Sequence, residues 1–288
     1  MSSNSTSSNG LVVLISGCSS GFGQSLAQEA LRAGLRVIAT ARNVEALVDL
    51  EKAGAAVLQL DVTASEAELD KVATKAIALY GQIDMLINNA GYSKLVPIED
   101  DSEASLRAMF DANFFGAVTL TKALLPHFRK RGTGTIVNLS SMASELGLAG
   151  VMGYAASKAA MNAFSDSLRA ELEPFGIQVI AIQPSNFRTQ IMFTHGFIAP
   201  VEKRAASPYT KTYEALGRFE RMAGTERGDV QKGSRRIIEI LTSPRLDKLP
   251  ARLALGDEAL VALGDSLDAR KASLVEHRHL TVDVDVSD

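Results

Sequence analysis

Tyr154 and Lys158 stand four residues apart in Tyr154-Ala155-Ala156-Ser157-Lys158. On a helix, positions i and i+4 share a face, so this spacing brings an ammonium beside a phenol. An unperturbed phenol titrates at about 10 and is a poor acid at neutral pH, whereas a neighbouring cation favours its ionised form. Tyr and Lys on one helical turn make a proton-transfer device. Far upstream lies Ser16-Gly17-Cys18-Ser19-Ser20-Gly21-Phe22-Gly23. Its glycines, spaced GxxxGxG, suit a tight turn, close backbone approach to a pyrophosphate and a helix N-terminus aimed at the anion. By itself a glycine cluster after a strand fits any tight strand-to-helix turn. Beside the Tyr–Lys pair it supplies something to transfer with the proton.

Positioning these groups requires alternating strands and helices, and the first two-thirds of the chain alternates in that way. Short apolar strands are expected at Leu11–Ser16, Leu35–Thr40, Ala56–Leu60, Ile83–Ile87, Gly134–Leu139 and Ile177–Ile182. Between them come helices over about 21–33, a helix capped by Asn43 and ended by Gly54, and one opened by a Ser65/Glu68 capping box and closed after Tyr80 by Gly81. A longer helical stretch at about 102–130 precedes the helix that carries Tyr154 and Lys158. Strands of this kind, separated by helices, form a doubly wound parallel sheet covered on both faces, with the chemistry-bearing loops along one edge. Residues 11–280 read as one α/β domain. Residues 190–228 break the rhythm and read as a substrate-covering segment. Beyond them, helices at 229–241 and 257–271 flank a short Arg252–Leu255 strand; residues 1–10 read as a disordered lead and 281–288 as a loose acidic tail.

The 288 residues are 46% hydrophobic, enough for one sizeable core, and a net charge of −3 leaves no nucleic-acid footprint. No apolar run reaches the roughly 18 residues of a membrane span, and the polar start is not a signal peptide. A single cysteine, Cys18, rules out an internal disulfide and fits a reducing, cytoplasmic setting. At the start of a helix it reads either as a reactive thiol or, better, as a small residue in a tight turn. No His/Cys/Asp/Glu cluster suggests a metal, and His195, alone in a loop, reads as a surface or packing residue.

Further motifs stand in order along the chain. Asn88-Asn89-Ala90-Gly91 follows the fourth strand, Asn113 lies in Asn113-Phe114-Phe115-Gly116, and Ser140-Ser141 ends the fifth strand ahead of Tyr154. With the glycine turn and the Tyr–Lys pair, this set resembles the short-chain dehydrogenase/reductase family from about Leu11 to Thr189. The resemblance implies a Rossmann fold and a nicotinamide cofactor. It makes Tyr154 the general acid or base, Ser141 the hydrogen-bond partner of the substrate oxygen, and Lys158 the group that holds the nicotinamide ribose and lowers the Tyr154 pKa. Asn113 would organise a water relay behind Lys158. Ser16, Gly17, Ser19, Ser20, Gly21, Phe22 and Gly23 would cradle the pyrophosphate. Asp61 and Val62 would meet the adenine; Asn88, Ala90 and Gly91 would line the adenosine side; Pro184 and Thr189 would close on the nicotinamide. Read singly, Asn113 also fits a structural bond inside a helix, and Asp61 a turn or cap.

After the second strand an NAD site wants a carboxylate for the ribose hydroxyls, whereas a 2′-phosphate needs a cation. Here Ala41 stands at the family's Asp position and Arg42 follows it. A guanidinium suits phosphate, so NADP(H) is the expected cofactor; the bland reading of Arg42 is a surface cation. After the sixth strand the family's Pro-Gly is Pro184-Ser185, and a side chain at Ser185 threatens to crowd the nicotinamide pocket. Phe187, Ile191, Met192, Phe193, Phe197, Tyr209, Tyr213, Phe219 and Met222, with Tyr92, Met142, Leu146 and Leu148 at the same edge, suit either a bulky apolar carbonyl or alcohol substrate or packing among themselves. The expected function is therefore NADPH-dependent hydride transfer to such a small molecule. The rival is a non-redox scaffold, or a redox-neutral isomerase or cyclase, on the same fold. A homo-oligomer through helices around 104–130 and 154–173 is a further expectation.

Overall fold

The computed structural model describes residues 10–189 and 201–280 apart from 245 and 247, with the backbone alone of 201–203. Its centre is a seven-stranded parallel sheet: β1 (Val12–Ile15), β2 (Arg36–Ala41), β3 (Ala56–Gln59), β4 (Met85–Asn88), β5 (Gly134–Leu139), β6 (Ile177–Pro184) and β7 (Arg252–Leu255), in the order β3-β2-β1-β4-β5-β6-β7. The order reverses direction between β1 and β4. That reversal opens a crevice at the C-terminal ends of the strands.

Period-two alternation sorts each strand's side chains to the two faces. Val13, Ile15, Val37, Ala39, Ile87 and Val137 face one layer with Leu26, Ala27 and Ala30 of α1 (Gly21–Arg32) and Ile237 and Ile238 of α9 (Val230–Leu241). Val12, Leu14, Ile38, Leu86, Ile136 and Val179 face the other. There they meet α3 (Glu66–Tyr80), α5 (Gly116–Arg131) and α6 (Met152–Leu172) through Leu69, Leu120, Leu124, Phe128 and Leu168. Both faces are covered, which is why the strands read as unbroken apolar runs rather than alternating ones. The helices α2 (Val48–Lys52), α4 (Glu103–Phe110), α7 (Val201–Ala206), α8 (Thr210–Met222) and α10 (Asp257–Glu276) complete the set among the described residues.

Local chemistry explains most boundaries. The Ser65/Glu68 capping box forms and Gly81 ends α3 in the left-handed region at φ 75°. Asn43 caps as expected, but what it opens is a 3-10 turn, Val44–Leu47, running into the short α2. The expected single helix at 102–130 is two helices joined by a π turn, Asp111–Phe115. Residues 190–228 hold α7 and α8, which the irregular composition there did not announce. Helix α10 runs to Glu276 rather than ending near 271. The expected lead and tail lie outside the described residues except Gly10. Among the described residues, no helix is long and apolar enough to cross a membrane, and no group of three His, Cys, Asp or Glu side chains could hold a metal.

Gly134 opens β5 directly under Phe128, where a Cβ would stand 2.4 Å from the ring. Phe128 is fully buried and has no room to retreat. Gly134→Ala is expected to lower the unfolding free energy by about 1–3 kcal/mol, as overpacked cores do. Urea denaturation followed by circular dichroism measures it.

Candidate active site

Parallel strands bring the ends of β1, β2, β4, β5 and β6 to one edge, and the sequence motifs sit on those ends. At β1, Gly17 and Gly21 take left-handed backbone, φ 72° and 56°. Space as well as conformation demands glycine here. A Cβ on Gly23 would lie 2.2 Å from the Gly17 carbonyl oxygen, and one on Gly17 would lie 2.9 Å from Ala90 Cα. Ser20 precedes α1 without a side-chain cap, so the helix's first N–H groups are left for another acceptor. Thr189, from the segment after β6, comes within 3.5 Å of a Cβ built on Gly21. The two ends of the predicted cofactor cradle therefore meet.

Several residues of the cradle are spoken for by the protein itself. The Ser16 hydroxyl accepts from the Asn89 and Ala90 amides, each at 3.0 Å, and Asn89 Nδ2 donates to the Ser16 and Gly17 carbonyls at 2.9 and 3.0 Å. These bonds tie the β1 turn to the β4 turn across the reversal. Asn88 points into the core, where its Nδ2 donates to Thr121 Oγ1 at 3.0 Å and Asn138 Oδ1 at 2.8 Å. Asp61 holds a local turn by accepting from the Thr63 amide and hydroxyl. Val62 packs on Gly116, at the start of α5. The Cys18 amide donates to the Thr40 carbonyl at 2.8 Å, its thiol is buried and donates to the Ile15 carbonyl at 3.2 Å, and burial pushes the thiol up to about 12. It is no nucleophile.

The proton-handling groups lie where β5 meets α6. Ser141 follows β5, and its hydroxyl accepts from the Ala143 amide at 3.2 Å and hydrogen-bonds the Tyr154 phenol. Burial holds the phenol above its ordinary value, with the Ser141 bond acting the other way. Lys158 Nζ lies 5.8 Å from the centre of the Tyr154 ring and donates to the Leu139 carbonyl at 2.7 Å. Lys158 is only 6% exposed, and burial brings its ammonium down to about 8. The direction of the phenol's shift is thus set by burial, opposed by Ser141, rather than by the expected lowering from the ammonium.

Asn113 sits in the π turn, a feature common at functional positions. Its Oδ1 accepts from the Tyr92 amide at 2.9 Å, while its Nδ2 donates to the Tyr92 carbonyl at 2.9 Å and to Ser157 Oγ at 3.0 Å. Ser157 in turn donates to the Tyr154 carbonyl at 2.7 Å. Gly91 leaves the space between: a Cβ there would stand 2.8 Å from Asn113 Oδ1 and 3.7 Å from Lys158 Nζ. Ser157 links the π turn to the helix that bears Tyr154, and sequence reasoning passed over it. Its placement beside Lys158 in the Tyr–Lys segment was the available signal. Ser140 adds a bond to the Lys158 carbonyl at 3.1 Å.

Ser185 keeps its side chain beside β7. Its amide bonds the Leu255 carbonyl, and its hydroxyl occupies the space left by Gly256, where a Cβ would stand 2.6 Å away. Phe187 does not join the apolar edge. It stacks edge-on to Phe22, centroids 4.9 Å apart, and lies against Gly228 and Gly233. Met142 and Leu146 pack under α10 with Ala259 and Leu263. The wall over Tyr154 is instead Leu95, Val96 and Val151 with Tyr209, Tyr213, Leu216 and Phe219 of the α8 region. Asp100 Oδ2 anchors that region, accepting from Tyr213 at 2.9 Å and Ser207 at 2.6 Å. Burial and the Asp100 carboxylate push the Tyr213 phenol up to about 12. Met222 and Leu148 are exposed; Ile191, Met192, Phe193, Phe197 and His195 lie outside the described residues.

The family model described as short chain dehydrogenase matches residues 11–195. The chain is 34% identical to the oxidoreductase YusZ of Bacillus subtilis over 84% of its own length and 88% of that protein's. It is 40% identical to the NADPH-dependent 1-acyldihydroxyacetone phosphate reductase of Schizosaccharomyces pombe over 62% of its own length and 60% of that protein's. Among solved structures, a short-chain dehydrogenase from Streptomyces avermitilis superposes with a TM-score of 0.85 at 37% identity, covering 96% of this chain and all of the other. This chain belongs to the short-chain dehydrogenase/reductase family of oxidoreductases, whose members use nicotinamide cofactors.

The depressed Lys158 value has a stability consequence. Folded Lys158 titrates at about 8 against 10.5 for an unburied lysine, so between those values the unfolded chain binds the extra proton. Stability therefore rises with pH across that window, and below it the cost of the buried charge is present in full. Lys158→Met is expected to raise the unfolding free energy at pH 7 by on the order of 1 kcal/mol, an advantage that closes above pH 10.5. Denaturant titrations at the two pH values read it directly.

Proposed function

We propose that this chain is an NADPH-dependent oxidoreductase acting on a bulky apolar carbonyl or alcohol, with Tyr154 as its general acid and base. One observation carries the reading: a serine hydroxyl, a phenol and an ammonium converge at the strand edge, in a site dry enough to bring the ammonium down to about 8. The nicotinamide cofactor supplies the hydride when bound. In carbonyl reduction, Tyr154 gives its proton to the substrate oxygen and Ser141 turns its hydroxyl toward that oxygen. The raised phenol keeps the proton in place at neutral pH, as an acid requires. Lys158 holds the ribose side and carries the positive charge opposite the phenolate that forms. Asn113 steadies the wall behind Lys158.

The residues present fit the cofactor. Gly17, Gly21 and Gly23 form a cradle that a Cβ would fill, and the uncapped start of α1 offers its amides to a pyrophosphate. Arg42 is exposed after β2, and among the described residues its guanidinium has no hydrogen-bond or ion-pair partner. An unengaged guanidinium after β2 supports a 2′-phosphate as its partner, where a ribose diol would want the carboxylate that Ala41 lacks. For the substrate, the aromatic and aliphatic wall over Tyr154 favours an apolar body next to the carbonyl. The likeness to a reductase of 1-acyldihydroxyacetone phosphate supports the same direction. Two departures favour the scaffold reading, Ser185 and the altered segment after Thr189; the first loses weight because the Ser185 hydroxyl lies in the space left by Gly256.

Two measurements test the reading. Titration followed by nicotinamide fluorescence, which no Trp obscures, is expected to show NADPH binding more tightly than NADH. Arg42→Ala should erase most of that preference; an unchanged NADPH/NADH ratio would remove Arg42 as its source. Tyr154→Phe is expected to lose about 10²–10⁴-fold in turnover of hydrophobic ketones while NADPH affinity and the unfolding midpoint hold. Undiminished turnover in that variant would leave the acid elsewhere.

A further inference from the structure

The turn that carries Ser141 is pinned three residues further on. Ser141 caps a short 3-10 turn, Met142–Ser144, and its carbonyl accepts from the amide and the hydroxyl of Ser144, at 3.1 and 2.6 Å. The Ser144 hydroxyl accepts in turn from Asn162 Nδ2 at 2.8 Å and from Gln183 Nε2 at 3.1 Å. A hydroxyl has one proton to give and two lone pairs to fill. All three are used here, so the group cannot rotate without breaking a bond.

Each partner comes from a different element of the site. Asn162 lies on α6, four residues beyond Lys158 and eight beyond Tyr154, on the face those two share. Gln183 stands next to Pro184 at the end of β6, and Ser144 closes the turn after β5. One hydroxyl therefore joins three elements that converge on the Ser141–Tyr154 bond. All three side chains of the junction are buried. Glu145 locks the same turn from outside. Its carboxylate accepts from Asn162 Nδ2 at 3.1 Å and pairs with Arg252 of β7 and Arg270 of α10, while its carbonyl accepts from Ser266 Oγ at 2.8 Å.

Stability alone explains this junction poorly. Asn162 Oδ1 is buried and, among the described residues, finds no hydrogen-bond partner. A buried acceptor left unpaired is destabilising, and apolar side chains could fill the same space without that cost. What the junction gains is direction. At a reacting centre about 1 Å of misplacement costs roughly 10²-fold in rate.

We propose that Ser144 is a positioning residue, whose hydroxyl, held by Asn162 and Gln183, aims Ser141 at Tyr154. It acts through Ser141 and touches no reacting atom. The inference rests on the proposed reading of Tyr154 as the acid, but the aim of Ser141 is measurable without turnover.

Ser144→Ala is expected to lower kcat for ketone reduction by about tenfold or more while NADPH affinity holds. The Ser141 bond opposes the upward push of burial on the phenol. Loosening it should move the phenol's titration, and with it the alkaline fall of kcat/KM, to higher pH. Phenolate absorbance, taken as the difference from the matching Tyr154→Phe protein, reads that shift with no substrate present. Ser141→Ala should produce the same shift, and Ser144→Ala added to it should change neither readout further, because the two act as one unit. Gln183→Met removes one donor at similar volume. It should move both readouts the same way by less, and it carries the test if Ser144→Ala does not fold. A phenolate titration unmoved by the folded variants overturns the proposal. So does a Ser144→Ala effect that persists undiminished in the Ser141→Ala background. Full turnover in Tyr154→Phe would instead overturn the proposed reaction, and the phenolate titration would still decide the junction.

Discussion

A buried ammonium sets the terms for the rest of the site. Removing a charge from water costs several kcal/mol unless the surroundings compensate, and the acceptor that Lys158 Nζ meets among the described residues is the Leu139 carbonyl. The fold holds this unfavourable arrangement by over-determining everything around it. Ser140 grips the Lys158 backbone, Ser157 grips both the Tyr154 backbone and Asn113, and Asn113 closes on both polar groups of Tyr92. Gly91 contributes only the absence of a side chain, which keeps the space beside Nζ open. Strain of this kind survives only where neighbouring packing leaves the chain no easier conformation.

That packing comes from the sheet. With both faces covered, the strand interiors have no freedom to slip, since a one-residue shift would exchange the two apolar layers. Strand ends are therefore located to within a side chain, and the turns that follow inherit that accuracy. The Ser16–Asn89 ties show the principle at the crevice itself, where two turns from different strands are locked by one hydroxyl and one carboxamide.

Much of this was legible in the sequence. Apolar runs and glycine punctuation gave all seven strands to within two residues, and the Tyr–Lys spacing put a phenol and an ammonium side by side on α6. What stayed hidden has physical causes. The π turn at Asp111–Phe115 leaves no compositional mark, because one extra residue in a helical turn alters hydrogen-bond partners and not residue types. Asn88 reads as a side chain lining the adenosine and Asn113 as part of a water relay or as a structural bond; the partners that their amides find in the protein, Asn138 and Ser157 among them, are long-range and are seen only in the fold. Phe187 looked like part of the apolar edge because its neighbours in sequence did. Its ring turns the other way, onto glycines more than forty residues ahead. Helices α7 and α8 were obscured by Pro, Gly and aromatics, whose tertiary contacts override weak local propensity.

The wall over Tyr154 has its own foundation. Tyr213 and Leu216 belong to α8, which is fastened at Asp100 by hydroxyl groups and meets Tyr154 through apolar contact. It also lies past residue 195, where the likeness to the family model ends. Inheritance can thus treat the two halves of the pocket differently. The Ser141, Tyr154 and Lys158 cluster is bound into the sheet and tolerates little drift, whereas the apolar wall beside it rides on a separately moored helix and is free to be rewritten. Under the proposed function, exchanging α8 residues between unchanged moorings would reshape the apolar wall without disturbing the Ser141, Tyr154 and Lys158 cluster.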